Sequence, residues 1–235
     1  YGAPARFKDN KVLIEKIRRC CIIAPHPDDE TLAMGGTIPR LISHGVDVSI
    51  LIVSGHLPPI YPPEAFEVTF KEAKNAFSLM GVSDYEFLRI PATFVASTPT
   101  HQLNQKVYSF IKKRSPELVF IPFPDRHIDH RVIFDSSVVA CRPTSGDAPK
   151  IVLAYETLSE THWNAPGIEP AFVPEFFVDI SNMIDKKLAA IRCYKSQIDT
   201  VPSRSPIACK ALAQFRGSQN GFEYAEAFKI VRIAI

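Results

Sequence analysis

Short apolar runs alternate with helix-period segments along most of the chain, and this alternation restricts the fold more than any other feature. Arg18–Ala24 (RRCCIIA), Val46–Ser54 (VDVSILIVS), Tyr85–Ile90, Leu118–Ile121, Ile151–Tyr155 and Phe176–Ile180 read as strands. Helices are predicted over Glu30–His44, Pro63–Met80, His101–Arg114, His130–Cys141, Asn182–Lys195 and Pro206–Phe215. Gly45 and Gly81 follow two of these helices, and Pro122 stops the fourth strand. The tail from Phe222 to Ile235 is mixed, with a helical turn expected at Tyr224–Phe228. Strand–helix alternation of this kind implies a parallel sheet covered on both faces. Right-handed crossovers then give a single α/β domain, Rossmann-like, with a mostly parallel sheet. Ligands of such folds bind beyond the carboxyl ends of the strands, so residues just after Ala24, Ser54, Ile90, Ile121 and Tyr155 are the ones to inspect.

Composition narrows the function. Lys and Arg number 27 against 25 Asp and Glu, a net charge of +2 with no long basic run, so a nucleic-acid partner is not expected. No stretch of 18 apolar residues is present to cross a membrane. Tyr1–Glu15 lacks the apolar core of a signal peptide. Five cysteines without a CxxC pair argue against a disulfide framework or a thiolate zinc site. Cys20 and Cys21 read as buried small hydrophobes, and the expected location is a reducing cytoplasm.

The first strand runs into Ala24-Pro25-His26-Pro27-Asp28-Asp29-Glu30, where a phosphate-binding fold would carry glycines. No GxGxxG occurs here, which disfavours a dinucleotide. Imidazole and carboxylate together suit a borderline divalent ion such as zinc. His26 and Asp29 are three apart, so one turn can aim both at the same ion while Asp28 points elsewhere, free to act on water. A catalytic zinc commonly takes three protein ligands, and the third is expected from another strand end. The fourth strand supplies it in Pro124-Asp125-Arg126-His127-Ile128-Asp129-His130, where His127 and His130 are again three apart.

These residues resemble a known family. His26-Pro27-Asp28-Asp29-Glu30 resembles the AHPDDE motif of the PIG-L/LmbE metal-dependent deacetylases, and His127-Ile128-Asp129-His130 resembles their HxDH motif. Gly35-Gly36, Glu72, Leu79–Val82, Ser196-Gln197 and Tyr224–Phe228 extend the similarity over roughly residues 18–230, so residues 1–235 are expected to form one domain of this type. The resemblance implies His26, Asp29 and His130 as metal ligands, Asp28 as general base, and His127 as the group that stabilises the oxyanion, with either His127 or Asp28 protonating the leaving amine. It implies zinc, with iron or cobalt as other occupants, and removal of an N-acetyl group from an N-acetylglucosamine-type amino sugar or its conjugate. The alternatives are an amidase acting on a bulkier conjugate, and a non-catalytic sugar- or metal-binding relative. Two positions depart from the family pattern: Thr69 replaces an arginine three residues before Glu72, and His56 replaces an acid after the second strand. Arg126, His56 and Glu156 are the expected substrate contacts, and Trp163 is a candidate sugar-stacking residue.

Overall fold

The computed structural model describes residues 17–234 except 145, 166, 199 and 200. The signal-peptide expectation for Tyr1–Glu15 lies outside the described residues. Seven strands form one sheet: β1 (Arg19–Ala24), β2 (Asp47–Gly55), β3 (Asp84–Pro91), β4 (Leu118–Pro122), β5 (Ile151–Tyr155), β6 (Phe176–Asp179) and β7 (Ala225–Ile233). Their spatial order is β3-β2-β1-β4-β5-β7-β6. The first five run parallel, and β7 is antiparallel to both of its neighbours. The order reverses direction at β1, with β2 on one side and β4 on the other, and a crevice opens at such a switch point.

Successive side chains of the central strands serve opposite faces. Ile22, Ile50, Ile52 and Phe120 pack into one buried cluster, whereas Ile23, Leu51, Val53 and Val119 pack into the other. The first face is covered by α2 (Thr37–Ser43), α3 (Ala65–Met80) and α6 (Ile184–Ile191). The second is covered by α4 (Thr100–Arg114) and α5 (Ile128–Ala140). The expected doubly wound α/β fold is therefore present.

Four local expectations are corrected. The helix predicted over Glu30–His44 is two, α1 (Asp29–Met34) and α2, broken at Gly35-Gly36. A Cβ on Gly36 would lie 2.7 Å from Ile180 Cβ, so the chain can turn there only with glycine. The amides freed by the break donate to the Glu226 carboxylate, Gly36 N at 2.9 Å and Thr37 N at 2.6 Å. The helix predicted from His130 begins instead at Ile128, because His127 caps it. The helix predicted over Asn182–Lys195 ends at Ile191 and is followed by the short α7 (Lys195–Ile198). The helical turn expected at Tyr224–Phe228 is the start of β7. Its Ala-Glu-Ala run favours helix locally, but Ala225, Ala227 and Phe228 are buried in the sheet and packing overrides propensity.

Glu226 is buried and pairs with Lys187 Nζ, which also donates to Leu32 O at 2.8 Å. Removing one member leaves the other charge buried and uncompensated. Lys187→Met is expected to lower stability by about 3–5 kcal/mol, read as a shifted urea midpoint at unchanged slope.

Candidate metal centre and cavity

The first motif leaves β1 at Ala24 and turns sharply. Ser54 on β2 holds the turn by donating from N and Oγ to Pro25 O at 2.8 and 2.9 Å. Asp28 adopts φ 131°, a left-handed conformation that costs a non-glycine residue about 1–3 kcal/mol. Surrounding bonds impose it. Asp28 N donates to Glu30 Oε2 at 3.3 Å, and Thr31 N and Leu32 N donate to Asp28 O at 3.0 and 2.8 Å. Glu30 is itself buried, accepting from Tyr194 OH at 2.6 Å and Thr31 Oγ1 at 2.7 Å.

The second motif leaves the adjacent strand β4. His127 Nδ1 accepts the backbone N–H of Asp129 at 3.2 Å, and α5 starts there. Asp129 Oδ2 lies 3.0 Å from His26 Nε2 and accepts Thr93 N at 2.7 Å. Asp125 Oδ2 lies 3.0 Å from His130 Nδ1 and accepts Thr161 Oγ1 at 2.9 Å. Each imidazole therefore has one nitrogen fixed by a carboxylate and turns the other inward.

Both inward nitrogens meet Asp29. Its Oδ2 lies 3.2 Å from His26 Nδ1 and 3.3 Å from His130 Nε2. Donors sharing one tetrahedral zinc-sized ion are expected about 3.4 Å apart. His130 is fully buried, and its Nε2 has no hydrogen-bond partner among the described residues. An orphaned buried nitrogen, a neighbouring imidazole and a shared carboxylate oxygen fit a divalent cation. His127 also comes close, since His26, His127 and His130 present ligand atoms within 4.8 Å of one another.

Electrostatics point the same way. Burial disfavours charge on His26 and His130, yet the facing carboxylates prevail and raise them to about 9 and about 10. Burial pushes Asp28 up to about 8, opposed chiefly by Arg204. His127 faces no comparable acid, and burial together with the two neighbouring imidazoles lowers it to about 4. The neutral ring accepts at Nδ1 from Asp129 N, so it carries its proton on Nε2.

A cavity of about 520 Å³ opens over these groups. His26, Asp28, Thr93 and His127 line it, together with His56, Tyr61, Val68 and Thr69 from the stretch between β2 and the middle of α3, and Ser196, Gln197, Val201 and Arg204 from the stretch after α6. Of the three expected substrate contacts, His56 reaches the cavity. Arg126 points away and pairs with Glu169 at 2.8 Å. Glu156 is buried against Arg216, with two bonds of 2.8 and 2.7 Å, and does not line the cavity. Trp163 is 70% exposed and likewise lies outside the lining. Sequence reasoning missed Arg204, which stands in no recognisable chemical pattern, whereas Tyr61 belongs to the Gly55–Pro63 loop that the sequence offers as a wall of the pocket.

The profile of the PIG-L family, described as GlcNAc-PI de-N-acetylase, matches residues 21–141, just over half of the chain, and the chain belongs to that family. Diacetylchitobiose deacetylase of Thermococcus kodakarensis is 27% identical, over 96% of this chain and 87% of the relative. Among solved structures, N,N'-diacetylchitobiose deacetylase from Pyrococcus horikoshii superposes with a TM-score of 0.76 at 23% identity, covering 96% of this chain and 87% of that one. GalB from Pseudomonas putida, a 4-carboxy-2-hydroxymuconate hydratase, superposes with a TM-score of 0.75 at 18% identity, covering 93% and 98%. Those two structures share the fold with this chain, and their different reactions show that the fold alone does not fix the chemistry.

Metal ligation requires neutral imidazoles, so a cation entering this site must displace protons held below about pH 9. Titrating metal-free protein with zinc at pH 7 is expected to release about two protons, read by calorimetry in buffers of different ionisation enthalpy. Heat that does not vary with the buffer would overturn the assignment of His26 and His130 as inward-facing ligands.

Proposed function

We propose that this protein is a zinc-dependent N-deacetylase acting on an N-acetylglucosamine-type amino sugar or its conjugate, through one domain with its core over about residues 18–230. The observation that carries the reading is the meeting of two carboxylate-held imidazoles on Asp29 Oδ2, at a cavity floor that also exposes Asp28 and His127. Family membership and the activity named for the Thermococcus relative support it. Five unpaired cysteines, four of them buried, fit a reducing cytoplasm. Among the described residues, no helix is long and apolar enough to cross a membrane.

His26 Nδ1, Asp29 Oδ2 and His130 Nε2 would hold the metal. When bound, a divalent ion supplies Lewis acidity, which polarises an amide carbonyl and lowers the pKa of water to about 7. Asp28 Oδ2 has no hydrogen-bond partner among the described residues and is the group placed to accept a proton from attacking water. A dication held there would favour its charged form, offsetting the burial that raises it. His127 donates from Nε2 to the oxygen that gains charge, and its low basicity keeps that donor in place without a competing positive charge. Asp28, once protonated, is the group placed to return the proton to the departing amine.

Asp28→Asn is expected to bind metal and lose about 10²–10⁴-fold in kcat, measured as acetate release together with metal content per chain. Full activity in the metal-loaded variant would overturn the assignment of the base. His130→Ala is expected to lose metal.

A further inference from the structure

Arg204 enters the cavity from the turn preceding α8 (Pro206–Ser218). Among the described residues that line the cavity, it is the lone lysine or arginine. Anions surround it. Nη1 lies 3.5 Å from Asp28 Oδ2, and Nη2 donates to Glu160 Oε1 at 3.3 Å. Nη1 also donates to Gln197 Oε1 at 3.0 Å. Both side chains of the outer pair are largely withdrawn from water, 21% exposed for Arg204 and 16% for Glu160, so screening between them is weak. Glu160 does not itself line the cavity and stands behind the guanidinium. Glu160 thus balances this cation before any substrate arrives.

The lining from the stretch between β2 and the middle of α3 adds no positive charge. Tyr61, Val68 and Thr69 are uncharged, and burial holds His56 neutral by lowering it to about 4. The group attached to the amino sugar therefore meets no uncompensated cation. An acceptor bearing phosphate or carboxylate would bring like charge beside Glu160, with no free cation of the wall to repay its desolvation. A neutral glycosyl acceptor avoids that cost and can use the polar and apolar walls.

We propose that Glu160 sets acceptor specificity: by balancing Arg204 it restricts the cavity to amino sugars linked to a neutral group, such as a second sugar, and rejects phosphate- or carboxylate-bearing acceptors. This rests on the amino-sugar deacetylase reading above. Glu160 acts through Arg204 and is a positioning residue, not a catalytic one.

The test compares methyl N-acetyl-β-glucosaminide with N-acetylglucosamine 1-phosphate, on metal-loaded wild type, Glu160→Gln, Glu160→Ala and the double variant Glu160→Gln/Arg204→Gln. Dissociation constants come from calorimetry, and kcat and KM from acetate release. Wild type is expected to favour the neutral compound by about tenfold, and both single variants to shift the ratio about tenfold toward the phosphate, through KM. The double variant is expected to lose that shift, because the freed cation is gone. Equal or tighter binding of the phosphate by wild type, or an unchanged ratio in both single variants, overturns the proposal. Acetate release without the charge preference sinks this inference alone. The charge preference in binding without acetate release upholds it and sinks the proposed reaction.

Discussion

Asp29 Oδ2 stands within 3.3 Å of two imidazole nitrogens that arrive from different strands, and the site depends on that shared oxygen. The pairing of β1 with β4 makes the meeting possible. Cys20 sits opposite Leu118, Cys21 opposite Val119 and Ile22 opposite Phe120. Parallel strands in this register end on the same edge of the sheet, so His26 and Asp129, 103 positions apart, come within 3.0 Å. Buried carboxylates carry a desolvation cost of several kcal/mol each unless positive charge compensates them. Asp29, Asp125 and Asp129 are all buried and face the two imidazoles. The cluster therefore demands cationic charge, which protons supply on His26 and His130 in the metal-free protein and a divalent ion would supply in their place.

Rigidity around the cluster comes from far along the chain. Asp28 keeps its left-handed backbone because Glu30 accepts its N–H, and Glu30 is held by Tyr194 from the end of α6. The break after α1 is held by Glu226 of β7, itself neutralised by Lys187 of α6. An antiparallel strand near the C-terminus thus completes the capping of a turn near the N-terminus. This places a strained residue at the cavity floor, where a flexible one would lose the orientation that proton transfer needs.

Much of this was legible in the sequence, and the reasons differ by element. The central strands are buried on both faces, so their apolar runs announce them without long-range information. Gly81 ends α3 in the left-handed conformation with φ 89°, as its place after Met80 predicts. The two histidine motifs were legible because each concentrates ligand-type side chains where a strand stops. β7 was not, since its Ala-Glu-Ala start has helical propensity and only its place between β5 and β6 makes it a strand. Arg126 and Glu156 misled because position after a strand says nothing about direction. Each found a closer partner, Glu169 and Arg216, and turned from the cavity. Arg204 was invisible because its value lies in a contact with Asp28 across 176 positions of chain.

The floor and the walls of the cavity come from separate parts of the fold. Ligand-type residues sit on the turns after β1 and β4, fixed by strand pairing and buried carboxylates. The walls come from α3 with the segment before it, and from the region between α6 and α8. Thr69 replaces the usual arginine on one wall, and its hydroxyl bonds back to Ala65 O and Phe66 O, so that wall presents no charge. Positive charge enters from the stretch after α6 instead, as Arg204, accompanied by Glu160. On the proposed reading, the floor residues carry the amide chemistry and the wall residues decide the acceptor.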